Sequence, residues 1–191
     1  MPNTTLPVTS LARRVTQAPI SPSFDRLFAE LDRCRGLPSL VDLERCLGEA
    51  DLDLADVLPH TASDRAGYVR TQIRLTPRYE ALVMCWLPGQ CSPVHDHGMS
   101  ACAVKVIQGA ATETVYTLGP DGLADPVTER VFRAGDVVVA ADADVHSLGN
   151  LPVRGERHHW PVALVTLHVY APQLTGSRKY LERVPAAAAF A

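Results

Sequence analysis

Hydrophobic residues in the first third of the chain recur at helical spacing. One run predicts a helix with Ser23 at its N-cap and Gly36 where the chain leaves it. A second short helix is predicted after Ser39, and a third turn ends at Pro59. The apolar positions are Phe24, Leu27, Phe28 and Leu31, then Leu40, Leu43, Cys46 and Leu47, then Leu52, Leu54, Val57 and Leu58. Two or three helices are therefore predicted within residues 24–58.

The pattern changes at Tyr68 to short runs rich in Val, Ile and Thr, separated by turn sequences such as Gly119–Gly122. The predicted strands lie near 68–75, 79–87, 94–97, 102–108, 111–117, 127–132, 136–140, 145–149 and 162–170. Their short spacing is typical of an antiparallel barrel or sandwich. The chain is therefore expected to be mainly β, with the helices packed against the β part.

The predicted organisation is one domain. Residues 1–20 are rich in Pro, Thr and Ser and have no period, which predicts a flexible N-terminal arm. Residues 21–191 then form the domain, with helices at 24–58, a β-barrel at 68–170 and a C-terminal tail at 171–191. The stretch Gly155–Trp160 is expected to be an exposed loop.

Composition narrows the function classes. The chain is 47% hydrophobic and 20% charged, as in an ordinary globular protein. A net charge of −3 gives neither a basic nucleic-acid footprint nor a polybasic membrane patch. No apolar run reaches the ~18 residues that span a bilayer, and no secretory signal pattern is present. Five cysteines without regular spacing favour reduced thiols. A cytoplasmic monomer is the resulting expectation.

Three histidines are the strongest candidates for chemistry. His95 and His97 are separated by one residue, so on a strand both rings point to the same face. His146 from a neighbouring strand completes one face of a metal's coordination shell and leaves the opposite positions open, as in a catalytic site. The alternative is a solvated hairpin edge with His146 in an unrelated turn. The remaining candidates, His60, His158 and His159, are expected at the surface.

The sequence around these histidines resembles the two motifs of the cupin superfamily. The first is Gly89, five residues, His95, one residue, His97, four residues, Cys102, six residues, Gly109. The second is Gly135, five residues, Ala141, one residue, Ala143, two residues, His146, three residues, Asn150. The resemblance implies a cupin jelly-roll β-barrel. The glutamate ligand that is usual in the first motif is replaced by Cys102.

Losing that glutamate changes the expected chemistry. Three neutral imidazoles leave the full charge of a divalent metal uncancelled, so the site should favour an external anion, of which a thiolate is a strong candidate. Histidines alone leave Fe(II), Zn and Cu open as the metal. Ser92 and Asp96 are expected to fix turns or ring orientation rather than to bind the metal.

A longer set of motifs resembles the thiol dioxygenases, and the cysteine dioxygenases in particular. These motifs are Tyr68-Val-Arg70, Cys85-Trp86, His95-Asp-His97, Ser100-Ala-Cys102, Lys105-Val-Ile-Gln-Gly109, His146 and Thr166-Leu-His168-Val-Tyr170. They span residues 68–172. The resemblance implies one Fe(II) per chain, bound by His95, His97 and His146.

The same resemblance implies roles for the other site residues. It assigns Arg70 to the substrate carboxylate, a task that suits its planar fork of donors, with Tyr68 and Tyr170 as further substrate-binding groups. His168 and Thr166 match the residues that orient the catalytic Tyr170. After Tyr170 the chain continues Ala171-Pro172, where Ser-Pro is usual, so the geometry of the bond before proline stays open.

Cys102 stands where some thiol dioxygenases carry a cysteine joined to the active-site tyrosine by a thioether bond. The resemblance therefore implies a Cys102–Tyr170 crosslink. The alternative is that Cys102 is simply a small buried residue on a strand.

Strand alternation supports part of this picture without the family. Thr166, His168 and Tyr170 share one face of a strand by period two. Arg70 lies in a β run, and an arginine that faces a cavity is costly unless an anion meets it. The alternative for Arg70 is a surface side chain paired with Glu80 or Asp64.

The implied reaction is the oxidation of L-cysteine by dioxygen to cysteine sulfinate. A dioxygenase for 3-mercaptopropionate or another thiol acid is the nearest alternative, although that group usually has glutamine in place of Arg70. An alternative of another class is a cupin without redox chemistry, either a zinc isomerase or a small-molecule sensor.

Overall fold

The computed structural model describes residues 13–152 and 162–183. Its helices are α1 (Pro22–Arg33), α2 (Leu40–Glu49) and α3 (Leu54–Val57), followed by a 3-10 turn at Leu58–His60. The predicted cap of α1 was wrong by two residues. Ser21, not Ser23, accepts the Phe24 N–H at 3.4 Å, because Pro22 at the first helical position has no N–H to satisfy and already has a helical φ.

Eleven strands are present in the described ranges. They are β1 (Arg13–Val15), β2 (Val69–Leu75), β3 (Glu80–Trp86), β4 (Val94–His95), β5 (Ala101–Gln108), β6 (Ala110–Leu118), β7 (Ala124–Arg133), β8 (Val137–Ala140), β9 (Val145–Gly149), β10 (Leu164–Ala171) and β11 (Lys179–Tyr180). The nine predicted strands correspond to β2–β10. The predicted strand at 94–97 is shorter than expected and ends at His95.

The strands form two sheets. One has the order β1-β2-β3-β10-β5-β8 and the other the order β11-β4-β9-β6-β7. Side chains from both sheets meet in one apolar cluster, which includes Met84 on β3, Ala111 on β6 and Leu148 on β9. The chain therefore has the jelly-roll fold that the cupin resemblance implied. The two sheets are not hydrogen-bonded into a closed barrel within the residues described, which corrects that detail.

The helices cover the outer face of the six-stranded sheet. Phe24, Phe28 and Leu47 pack there against alternate residues of the central strand β10, such as Leu167 and Val169. The side chains on the other face of β10 point into the space between the two sheets. Because a strand alternates its side chains, one central strand can complete the helix-side core and also supply polar groups to the interior.

A buried lysine joins α2 to the sheet. Lys105 on β5 donates to the carbonyl oxygens of Leu47 at 2.9 Å and Ala50 at 2.7 Å. These carbonyls belong to the C-terminal end of α2, which has no basic residue in its own last turn. A cation here satisfies carbonyls that the helix leaves without intrahelical partners.

The N-terminal segment contains a short strand that the sequence did not predict. Arg13–Val15 pair with β2 in parallel, and the Thr16 N–H donates to the Gln72 carbonyl at 2.9 Å. Residues 13–16 thus pair with the sheet, residues 1–12 lie outside the described part, and the flexible arm stays a prediction. His60, expected at the surface, is 2% exposed and lies 2.7 Å from the Thr16 hydroxyl.

The C-terminal tail also contains structure, because β11 pairs with β4. The bond between Ala171 and Pro172 is cis. The predicted loop at 155–160, with His158 and His159, and residues 184–191 lie outside the described ranges. No helix among the described residues is long and apolar enough to cross a membrane.

Candidate metal centre and adjoining pocket

The three predicted histidines meet between the sheets. His95 ends β4 and lies directly opposite His146 on β9, and His97 follows two residues later. Their ligand nitrogens all lie within 4.8 Å of one another. His97 and His146 are 1% and 4% exposed. The alternative of a solvated hairpin edge is excluded for these residues.

The spacing of the nitrogens fits a metal ion. Nε2 of His97 lies 3.2 Å from Nε2 of His146. Two imidazole nitrogens bound at about 2.1 Å to one tetrahedral or octahedral metal lie about 3.0–3.4 Å apart. Two neutral imidazole nitrogens at this distance repel each other unless a cation or a proton lies between them. The donor set is therefore suited to a divalent transition metal.

Hydrogen bonds on the far side of two rings fix their orientation. Nδ1 of His95 bonds the Pro93 carbonyl at 2.9 Å, with the Ser92 hydroxyl at 3.5 Å. Nδ1 of His146 bonds the Glu113 carboxylate at 2.8 Å. Each contact places the ring proton on Nδ1 and leaves the Nε2 lone pair for a metal. Ser92 thus stands where it was expected, beside a ring.

Glu113 is a candidate functional residue that the sequence did not predict. It is 1% exposed on β6 and also receives the Arg130 guanidinium at 2.7 Å. Its carboxylate lies on the Nδ1 side of His146, so it leaves the open face of the site free. The available signal was an acidic residue in a strand otherwise rich in Ala, Thr and Val, two positions after the inward-facing Ala111.

Replacing Glu113 with glutamine should weaken metal binding by about 10- to 100-fold, because the amide polarises the His146 ring less than a carboxylate does. Competition with a metal-sensitive chelator measures this change. Glu129→Gln, on the neighbouring strand β7, is the control and should bind metal like the wild type. Equal affinity in Glu113→Gln and the wild type would show that the contact does not tune the ligand.

Two of the candidate ligands stay neutral far below pH 7. Burial lowers the pKa of His95 to about 4, and the neighbouring His146 lowers it further. Burial likewise lowers the pKa of His97 to about 3, with His146 and His95 adding to the effect. Neutral imidazole is the form that binds metals, so the rings are prepared as ligands across the physiological range.

These depressed pKa values predict an acid-sensitive metal-free protein. In the unfolded chain both rings protonate as the pH falls through their ordinary pKa of 6.5, whereas the folded protein resists until about 4 for His95 and about 3 for His97. The unfolded state therefore binds more protons in this window, and the free energy of unfolding should fall as the pH falls. Urea unfolding of chelator-treated protein at about pH 7.5 and about pH 5 measures the loss. A doubly substituted His95→Asn, His97→Asn protein should lose less stability over the same window, and an equal loss in both would contradict the assignment.

A cavity of about 270 Å³ adjoins the three rings. This is smaller than the pockets of drug-sized ligands, which start at about 300 Å³, and suits a small substrate. The walls between the sheets are Tyr68, Arg70, Met84, Trp86, Cys102, Val104, Leu148, His168 and Tyr170, and Ser92, Pro93, residues 174–177 and Lys179 complete the lining. The structure thus brings every site residue predicted from the sequence to one cavity, apart from Thr166, which lies immediately behind it.

A chain of hydrogen bonds runs along the inner face of β10. Trp86 Nε1 donates to the Thr166 hydroxyl at 3.0 Å, Thr166 Oγ1 lies 2.9 Å from His168 Nε2, and His168 Nδ1 lies 3.3 Å from the Tyr170 hydroxyl. The Trp86 indole N–H can only donate, so the Thr166 oxygen accepts from it. Each remaining donor has an acceptor when the Thr166 hydroxyl donates to Nε2 of His168 and the Nδ1–H of His168 donates to the Tyr170 oxygen. Burial lowers the pKa of His168 well below its ordinary value, so the ring is neutral. The proton of the Tyr170 hydroxyl is then free to point into the cavity.

Cys102 and Tyr170 are neighbours across the β5–β10 ladder, and both side chains line the cavity. Burial raises the pKa of Cys102 to about 12, and it raises the pKa of Tyr170 well above its ordinary value. Both groups are therefore protonated at neutral pH.

Arg70 faces the cavity rather than the solvent. Its Nε is buried and has no hydrogen-bond partner in the described structure. Among the ion pairs of the described residues, none joins Arg70 to Glu80 or Asp64, which excludes the alternative of a surface pair. Tyr68, two residues before it, stacks on Trp86 with ring centroids 3.9 Å apart. A buried donor without a partner is costly, and a ligand anion would relieve that cost.

A segment of the C-terminal tail closes one side of the cavity. Asp96, between the two histidines, accepts hydrogen bonds from the Arg178 N–H at 2.9 Å and the Tyr180 hydroxyl at 2.7 Å. It also accepts the Gly98 N–H at 3.0 Å, which fixes the turn, as the sequence predicted for Asp96. Gly98 has φ +62°, and a Cβ there would lie 2.3 Å from the Gly176 carbonyl oxygen. Residues 174–179 are therefore held against the loop that carries the ligands.

Comparisons with known proteins agree on the family. A family model described as cysteine dioxygenase type I matches residues 53–183. Cysteine dioxygenase type 1 from Homo sapiens is 32% identical over 98 residues, which cover 50% of this chain and 46% of the human protein. The Danio rerio protein of the same name is 28% identical over 109 residues, or 56% of this chain and 51% of that protein. The chain thus spans about half the length of the curated relatives it matches.

Two solved structures are also similar. A Klebsiella pneumoniae protein with a double-stranded beta-helix domain gives a TM-score of 0.49 at 22% identity, over 66% of this chain and 95% of that one. The cupin domain of Schizosaccharomyces pombe Cnp3 gives a TM-score of 0.45 at 15% identity, over 60% of this chain and 66% of that one.

Proposed function

Because this chain belongs to the cysteine dioxygenase type I family, we propose that it oxidises L-cysteine with dioxygen to cysteine sulfinate at one Fe(II) bound by His95, His97 and His146. The observation that carries the proposal is the placement of Arg70 and the three rings on one small cavity. That arrangement offers a cation for a carboxylate and a metal position for a thiolate. A small amino acid with a thiol side chain carries both groups.

The protein's own residues bind and orient the substrate. Arg70 pairs with the substrate carboxylate through its free donors, and the Tyr170 hydroxyl donates a second hydrogen bond into the cavity. Tyr68, stacked on Trp86, forms the wall beside Arg70. The apolar side chains of Met84, Val104 and Leu148 limit the space left for water.

The reaction balances without a further reductant. Both atoms of one dioxygen are added to the sulfur of one cysteine, whose thiol becomes a sulfinate. A bound Fe(II) supplies open coordination positions and the electrons that activate dioxygen. The protein supplies the position of the substrate and the hydrogen bond from Tyr170, whose orientation is set by the chain of Trp86, Thr166 and His168.

The substrate assignment is tested by comparing kcat/KM for L-cysteine and 3-mercaptopropionate with Fe(II)-loaded protein. Arg70 favours cysteine, since relatives that use the thiol acid usually have glutamine there. Faster turnover of 3-mercaptopropionate would identify the protein as a thiol acid dioxygenase instead. Absence of oxygen uptake with either thiol, together with tight zinc binding, would favour an isomerase or a sensor. The cytoplasmic location and the monomeric state of this protein stay predictions.

We further propose that a thioether bond forms between Cys102 and Tyr170, because the two residues are directly opposite each other and both line the cavity beside the three histidines. The bond joins the Cys102 sulfur to a ring carbon of Tyr170 and removes one hydrogen from each, and one dioxygen accepts the two hydrogens and their electrons to give hydrogen peroxide. Intact mass after turnover should fall by two hydrogens, and a linked peptide should appear on digestion. Cys102→Ser is the control that should keep its mass. An unchanged mass in the wild type would leave Cys102 as a small buried residue only.

A further inference from the structure

Glu80 is a buried acid on the same side of the sheet as Arg70. It begins β3, is 1% exposed and lies directly opposite Tyr170 in the β3–β10 ladder. Directly opposite residues of antiparallel strands share a face, so Glu80 is on the interior side of the sheet with Tyr170. Arg70, which lines the cavity, is on that side of the neighbouring strand β2. A buried carboxylate needs a cation or several donors to stay charged.

Arg13 of the N-terminal strand supplies that cation. Its guanidinium donates to the Glu80 carboxylate and, at 2.8 Å, to the side-chain oxygen of Gln72. Arg13 is also the register partner of Arg70 in the parallel β1–β2 ladder, so the two arginines are side by side. Burial raises the pKa of Glu80, and the charges of Arg13 and then Arg70 oppose that rise. Glu80 is therefore within electrostatic reach of both guanidinium groups.

The two arginines differ in what they bind. Arg13 binds Glu80, whereas Nε of Arg70 is buried without a hydrogen-bond partner, although Glu80 is on the same side of the sheet. We propose that the Arg13 guanidinium binds the Glu80 carboxylate and so prevents Glu80 from pairing with Arg70. The Arg70 guanidinium then stays available for the carboxylate of the substrate. Arg13 and Glu80 are thus positioning residues for substrate binding, and β1 contributes to substrate binding through Arg13. This inference rests on the proposed function, because it takes the Arg70 ligand to be the carboxylate of the thiol substrate.

Removing Arg13 should turn Glu80 into a competitor of the substrate. A buried carboxylate that loses its partner attracts the next cation in reach, which is Arg70. Substrate would then have to displace Glu80, so KM for L-cysteine should rise by about 10-fold or more in Arg13→Gln. The value of kcat should stay within about 2-fold, because saturating substrate restores the same bound state.

The decisive variant is the double substitution Arg13→Gln, Glu80→Gln. It removes the competitor together with the residue that restrains it, so KM should return to within about 3-fold of the wild type. Arg13→Lys keeps the cation and should also keep a low KM. Arg14→Gln is the matched control, since Arg14 is the exposed neighbour on the same strand and its side chain points to the other face.

A structural role alone would not give this pattern. If the double variant kept the raised KM, or if Arg13→Gln had the wild-type KM, the proposal would be overturned. Should Arg13→Gln fail to fold, Arg13→Lys and the double variant still test it, because a raised KM in either one contradicts it.

A second readout needs no turnover. The Nε–H signal of Arg70 in nitrogen-15 spectra, assigned with Arg70→Lys, should move in Arg13→Gln and return in the double variant. An unmoved signal contradicts the proposal. If the wild-type protein consumed no oxygen with cysteine, the proposed function would fail, while this signal would still decide whether Arg13 keeps Glu80 away from Arg70.

Discussion

Arg70→Gln should lower kcat/KM for L-cysteine by at least about 30-fold. Truncating one partner of a buried, hydrogen-bonded charge pair costs about 2–5 kcal/mol, and each 1.4 kcal/mol is a factor of about ten. Glutamine retains a donor but loses the charge and the planar fork that matches a carboxylate. The loss should appear mainly in KM, with metal content unchanged, because Arg70 is not among the clustered metal ligands. Steady-state oxygen uptake over a range of cysteine concentrations measures it.

The control for this substitution is Arg74→Gln on the same strand. Arg74 donates to Asp32 at 2.7 Å and lies over the Phe28 ring, so it serves the interface between the helices and the sheet. Its loss should reduce stability and leave KM for cysteine near the wild-type value. A similar KM in Arg70→Gln and the wild type would contradict the assignment of the carboxylate site. The ratio of kcat/KM for 3-mercaptopropionate to that for cysteine should rise in Arg70→Gln.

His97→Ala should reduce metal affinity by more than about 100-fold and abolish oxygen uptake at ordinary metal concentrations. Structural metal sites with about four ligands contribute about 10–16 kcal/mol, or about 3 kcal/mol for each ligand. Losing His97 also opens the space beside His146 Nε2, which lies 3.2 Å from its ring. Metal analysis after dialysis and calorimetric titration with Fe(II) under anaerobic conditions measure the change.

His60→Ala is the matched control, because it also removes a buried histidine. His60 is 2% exposed and lies 2.7 Å from the Thr16 hydroxyl, behind the helices rather than beside the metal position. It should lower stability and leave one metal per chain. Full metal occupancy in His97→Ala would show that the ring is not a ligand.

Local patterns in the sequence predict much of this fold. The strands β8 and β9 were predicted at 136–140 and 145–149 and are found at 137–140 and 145–149. The alternation of side chains along β10 also explains why Leu167 packs against the helices and His168 lines the cavity. These features depend on period two and on turns, which neighbouring residues determine.

The missed features depend on distant residues. The strand Arg13–Val15 has two arginines and no apolar alternation, so its sequence does not predict a strand. It forms because its backbone pairs with the edge of β2 and because Arg13 pairs with the buried carboxylate of Glu80. His60 was expected at the surface because its partner Thr16 is 44 residues away in sequence. Glu113 was missed because a carboxylate behind a ligand leaves no spacing motif.

The candidate site was easier to predict than the parts that support it. The spacing of His95, His97 and His146 constrains three rings to one place, and the structure brings them together. The tail that closes the cavity carries no such constraint in sequence. Its position follows from Asp96, whose carboxylate bonds both Arg178 and Tyr180 more than 80 residues later.

Turnover of L-cysteine under oxygen-18 gas tests the central proposal most directly. With Fe(II)-loaded protein, we expect cysteine sulfinate in which both oxygen atoms carry the label, formed with one dioxygen consumed per cysteine. Cystine as the product, or a sulfinate whose oxygen comes from water, would contradict the account.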